Sequence, residues 1–132
     1  MSIEANLMLL AATTAISTPA ISPASYPSAL QGDWIIAEYA DSCRLARKFG
    51  SDALLRVTAH AIVSHESEFA PQQIEVDSKL RNRWRIASIE RFEGDEFPRW
   101  QMFTAERDKL TVRDLDNRLQ PNRSLVFQRC PD

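Results

Sequence analysis

The sequence predicts an all-β fold, an eight-stranded antiparallel up-and-down barrel. Three observations carry that prediction. From Leu30 onward the chain reads as short strand-like segments, at 34–39, 53–58, 61–69, 72–77, 82–92, 97–106, 109–115 and 123–130, parted by turn-forming residues. Many short strands at regular spacing indicate a sandwich or a barrel. The segments around two tight turns alternate apolar and polar residues, so one face of the sheet is apolar. The only two cysteines, Cys43 and Cys130, lie just after the first strand and at the end of the last. A disulfide between them would join the ends of one domain. Closing the sheet would also remove the unpaired edges that invite aggregation.

Taken in order, residues 1–29 read as a leader and linker, and residues 30–132 as the barrel domain. Leu7–Ile16 (LMLLAATTAI) is an apolar run, and small, Pro-rich residues follow it up to Ser25. That is the pattern of a secretory signal peptide, with removal expected up to about Ala20 or Ala24. The positive n-region is missing, since no Lys or Arg precedes Arg44 and Glu4 has the opposite sign. A start at Met8 or at an upstream codon would account for this; a disordered or loosely helical tail is the alternative. No cysteine near the leader could take a lipid, and no apolar run is long enough to span a bilayer as a mature helix. The expected location is periplasmic or secreted, where a Cys43–Cys130 disulfide would persist. Two buried free thiols are the other reading.

The first strand follows Gly32-Asp33-Trp34, and Asp41–Ser51 has room for a short helical turn. Around Glu93-Gly94-Asp95-Glu96, Gly94 and Asp95 fit a two-residue type II′ turn. That register sets Phe92 opposite Phe97, Glu90 opposite Arg99, Ser88 opposite Gln101 and Ile86 opposite Phe103. A turn at Arg107-Asp108 then sets Ala105 opposite Leu110, Phe103 opposite Val112 and Gln101 opposite Asp114. One face becomes Trp84, Ile86, Phe92, Phe97, Phe103, Ala105, Leu110 and Val112, the expected core. The other carries Arg83, Arg85, Arg91, Thr104, Glu106, Thr111 and Arg113, interrupted by Ile89, Trp100 and Met102. Pro71, Pro98, Pro121 and Pro131 are expected at or near strand ends, because proline cannot donate to a central ladder.

Gly32-Asp33-Trp34 resembles the Gly-x-Trp of the lipocalin-like (calycin) barrels, which stands in their first strand. The resemblance implies that Arg129, in the last strand, packs across Trp34, and that a small ligand is bound inside the barrel. Leu30-x-Gly32-x-Trp34 followed by a cysteine is also similar to small bacterial periplasmic barrels. These include secreted inhibitors of metalloproteases, which plug the protease with an N-terminal segment.

Composition excludes some functions. The 132 residues carry a net charge of −2, so there is no basic field to draw nucleic acid. No phosphate loop, nucleophile elbow or His-Glu-x-x-His is present. His60 and His65, the only histidines, are five apart; in a strand they would face opposite ways, and His60 falls more naturally in a turn. No metal or cofactor is expected. Arg81, Arg83 and Arg85 could form an anion site, but Asp108 and Glu106 stand opposite Arg81 and Arg83 in this register and would neutralise them. Glu90, Arg99, Gln101 and Asp114 all point inward. They form either a ligand site, with Arg99 as anchor, or an ion-pair plug at one end of the barrel. The expectation is an exported, monomeric, non-enzymatic protein that binds a small molecule at the barrel mouth. The alternative is a protein–protein module that inhibits an envelope or secreted hydrolase.

Overall fold

The computed structural model describes residues 24–116 and 124–132. Residues 1–23, expected as most of the leader, and 117–123, with Pro121 and Arg123, lie outside the described residues. A 3-10 turn at Ser28–Leu30 leads into β1 (Gly32–Ile36), and a second 3-10 stretch (Ala37–Ser42) runs into helix α1 (Cys43–Phe49). Seven strands follow: β2 (Leu54–Val57), β3 (Ile62–Val63), β4 (Ser67–Val76), β5 (Arg83–Phe92), β6 (Asp95–Glu106), β7 (Lys109–Asp114) and β8 (Ser124–Arg129). Each strand pairs antiparallel with the next, and β8 returns to β1, closing an up-and-down barrel.

The inward residues follow the two-residue period of a strand. Trp34, Val57, Ile62, Trp84, Ile86, Phe103, Leu110, Val112 and Phe127 form one buried cluster inside the barrel. Burying each large apolar side chain contributes about 1.5–3 kcal/mol, and this shared core holds the strands together. Tyr26 and Leu30 complete the core at one end. There the Trp34 indole N–H donates to the Leu30 carbonyl (2.9 Å), and the Arg129 guanidinium lies 4.1 Å from the indole ring centre. Arg129 also donates to the Gln31 (2.9 Å) and Ala29 (3.1 Å) carbonyls, so one side chain ties β8 to the 3-10 turn and covers that end. Glycine is required at position 32. Its φ is +125°, and a Cβ there would stand 2.8 Å from Arg129 Nη1. Burial pushes the Tyr26 hydroxyl pKa far above its usual value.

Helix α1 sits on the outer wall. Its Cys43 and Ala46 pack with Ile35, Ala53, Leu54 and Cys130 in a second buried cluster. Cys43 and Cys130 are disulfide-bonded across a sequence separation of 87. Arg47 reinforces the join by donating to Asp33 (2.8 Å) and to the Pro131 carbonyl (2.8 Å).

Several sequence expectations need correction. β1 stops at Ile36 rather than at residue 39, because the chain turns into 3-10 geometry to reach the helix. The segment expected as one strand at 61–69 is β3, a turn at Ser64–Glu66 and the start of β4. Pro71 therefore lies inside β4, where the pairing slips between Pro71 and Gln73; a residue without an N–H is accommodated at such an irregularity. The β5–β6 loop is Glu93-Gly94, not Gly94-Asp95, with φ of 51° and 84°. Positive φ at both loop residues is the type I′ geometry, which suits the strand twist and puts glycine second. Phe92 thus stands opposite Asp95, and Trp84 opposite Phe103. The slip is two residues, so every side chain keeps its face. Phe97 moves out toward the rim and is 43% exposed rather than core. Arg83 faces Thr104 instead of Glu106, and Asp108 lies 3.8 Å from Arg129, so the expected neutralisation of Arg81 and Arg83 does not form. The β6–β7 register at Arg107-Asp108 is as expected, with Ala105 opposite Leu110 and Gln101 opposite Asp114.

Candidate functional site

The end of the barrel away from Trp34 is open. Alternation along β5, β6 and β7 turns Glu90, Arg99, Gln101 and Asp114 inward there, with Phe69 and Phe97 directly opposite Glu90. The two-residue slip makes Glu90 and Arg99 diagonal neighbours rather than direct partners, a distance that a long arginine bridges. Arg99 Nη1 donates to Glu90 Oε1 (2.7 Å), and Arg99 Nη2 donates to Asp114 Oδ1 (2.8 Å). Gln101 Nε2 donates to the same Asp114 oxygen (3.0 Å), and the Ser67 hydroxyl donates to Glu90 Oε2 (2.9 Å). The cluster is mostly shielded: the side chains of Arg99, Glu90 and Asp114 are 27%, 15% and 22% exposed. Burial pulls the Arg99 pKa down, but hydrogen bonds and charge from Glu90 and Asp114 outweigh it and hold the guanidinium above its usual value.

The cluster does not fill the mouth. A cavity of about 240 Å³ remains beside it, lined by Arg99, Gln101 and Asp114 together with Phe69, Phe103 and Phe127. The four inward polar residues expected from sequence are therefore brought together, and three of them, Arg99, Gln101 and Asp114, line the cavity. Leu55, Phe69 and Leu125 also line it, and the sequence reading did not single them out. The expected strand 61–69 puts Phe69 at its end; the signal for its true position is the turn chemistry of Ser64–Glu66, where Ser64 Oγ accepts the Ser67 N–H (3.2 Å).

Other candidates are dispersed. His60 and His65 lie in separate turns on either side of β3. Among the described residues, no group of three or more His, Cys, Asp or Glu could hold a metal ion. Nor is any described helix long and apolar enough to cross a membrane. Tyr39, Leu45 and Phe49 border a shallow groove on the outer wall and are 54%, 60% and 70% exposed.

Fold and site together define a closed eight-stranded antiparallel barrel with a polar, partly hollow mouth and a disulfide at its seam. No protein-family model matches the chain, and neither a curated protein nor a solved structure matches it.

Proposed function

We propose that the chain is an exported, lipocalin-like barrel that binds a small ligand in its mouth and does not transform it. The observation that carries this reading is the cavity of about 240 Å³ beside the Arg99 cluster. Small barrels are normally filled by their own side chains, so apolar space next to convergent polar groups marks a binding site. The Cys43–Cys130 disulfide is compatible with an oxidising compartment, and the Trp34–Arg129 pair is the contact expected of a calycin barrel. The protein should be purified from its native host under non-denaturing conditions, with released small molecules identified by mass spectrometry. A fragment screen by NMR should accompany this. Ligand-induced shifts at Phe69, Gln101 and Leu125 are expected. Shifts confined to the outer wall would defeat the reading.

A second reading, a protein-docking module directed at an envelope or secreted hydrolase, draws on the exposed Tyr39, Leu45 and Phe49. Exposed apolar patches often mark protein contacts. Tyr39→Ser with Leu45→Ser and Phe49→Ser should then abolish capture of a hydrolase and leave mouth ligands unaffected.

A further inference from the structure

Given that the mouth is a ligand site, as proposed above, its electrostatics select the ligand's charge. Arg99 is the obvious anchor for an anion, but its charge is already engaged by two carboxylates, Glu90 (2.7 Å) and Asp114 (2.8 Å). Among the described residues lining the cavity or touching the cluster, two carboxylates stand against one guanidinium, which leaves one negative charge. An anion entering here would meet that charge at close range in a partly dry site, where Coulomb repulsion is several-fold stronger than in water.

The hydrogen-bonding inventory points the same way. Asp114 Oδ1 accepts from both Arg99 and Gln101, while Asp114 Oδ2 accepts no hydrogen bond among the described residues. Gln101 is nine-tenths buried and lines the cavity. Its Nε2 is committed to Asp114, which can only accept, and this fixes Oε1 as the amide's remaining acceptor. Oε1 takes no hydrogen bond among the described residues. Two acceptors, the charged Asp114 Oδ2 and the amide Gln101 Oε1, thus stand beside the cavity. The cavity lining also includes three aromatic rings, Phe69, Phe103 and Phe127. Phenyl faces attract cations as well as apolar groups.

We infer that the mouth binds a small organic cation, an ammonium group carried on an apolar body. The ammonium sits against Asp114 Oδ2 and Gln101 Oε1 and donates to both. The body lies among the three phenylalanines. Size sets an upper bound. An apolar cavity of about 150 Å³ admits benzene, so about 240 Å³ admits one ring with a short aminoalkyl tail. Larger ligands would have to extend into solvent past Leu125.

Three probes with one phenyl body separate the possibilities: phenethylamine, phenylacetate and 2-phenylethanol. Each is titrated into the wild-type protein at neutral pH, with binding followed by calorimetry and by NMR. Phenethylamine should bind about tenfold or more tightly than either of the others, a margin of about 1.4 kcal/mol. Asp114→Asn keeps the oxygen that Arg99 and Gln101 use and removes the charge. It should erase most of that margin with little effect on 2-phenylethanol. Should that variant not fold, the wild-type order decides alone. Phenylacetate binding as tightly as the amine, or more so, overturns the cation assignment and leaves the ligand site standing. An alcohol as tight as the amine does the same. No binding by any of the three up to ~10 mM, an order weaker than millimolar affinity, overturns the ligand-site reading and the cation assignment with it.

Discussion

Three side chains illustrate how far single residues can be read. Trp34 was legible from Gly-x-Trp alone, and it is fully buried with its N–H satisfied by Leu30. Trp34→Ala should cost about 3–5 kcal/mol, as for a large core aromatic. Chemical denaturation measures this, and a loss below about 1 kcal/mol would place the indole outside the cooperative core. Arg99 was legible as inward-facing, because the alternation of β6 survives any even slip in register. Its partners were legible by type but not by geometry. Arg99→Ala should cost about 1–3 kcal/mol, the penalty for leaving hydrogen-bonding partners unsatisfied. It should not reach the 3–5 kcal/mol of a fully buried pair, because Glu90 and Asp114 keep some access to water. Urea unfolding of Arg99→Ala against wild type decides this, and a loss under about 0.5 kcal/mol would show the cluster to be energetically idle. Phe97 falls on the expected core face because the Gly94-Asp95 register sets it opposite Phe92; the observed register sets it opposite Glu90. There it is 43% exposed, on the rim of the mouth.

Turns decided what could be read at the level of elements. Arg107-Asp108 is a two-residue loop flanked by clean alternation, and its register followed directly. Glu93-Gly94-Asp95 offered two loops of equal length, and glycine fits both, first in type II′ and second in type I′. Pairing of Arg91 with Glu96, which are directly opposite and 3.0 Å apart, accompanies the type I′ choice. Gly94 and Gly32 therefore make a useful contrast. A Cβ on Gly94 meets nothing within 4 Å, so Gly94→Ala carries only the strain of φ +84°, about 1–2 kcal/mol. Gly32→Ala adds a clash with Arg129 and should lower stability by more than Gly94→Ala; equal melting temperatures would refute the role of close packing at Gly32. Asp77 closes the β4–β5 turn by accepting the N–H groups of Lys79 (2.9 Å) and Leu80 (2.9 Å). Those two bonds are the main reason that its carboxyl is held below the ordinary carboxylate range. A folded pKa below the unfolded one contributes stability above the unfolded value and loses it as pH falls through the folded value. The advantage of wild type over Asp77→Asn should therefore be constant near neutral pH and shrink below about pH 4. An advantage that stays level down to about pH 2.5 would show that the turn bonds do not depend on the charge.

For the whole molecule, the two cysteines and the strand count were enough to anticipate closure, since a chain with its ends joined and its strands in sequence has few other ways to bury one apolar face. The cavity was not legible. Whether inward side chains meet or leave space depends on fractions of an ångström summed around the barrel, and no periodicity encodes that. The disulfide is the global constraint. Replacing both Cys43 and Cys130 with Ala should cost about 2–4 kcal/mol by the loop-entropy argument, and thermal unfolding should shift down by ~10 °C or more. An unchanged midpoint would mean that the β1–β8 seam holds without it. Because β1 pairs with β8, the seam also sets a clock. Trp34 is synthesised well before its partner Arg129, so the sheet cannot close until β8 has been made. Sheets completed by such distant pairings fold over milliseconds to seconds. Until then the barrel stays open along the β1–β8 seam. The covalent lock at Cys130 follows β8 directly, so it too waits for that strand.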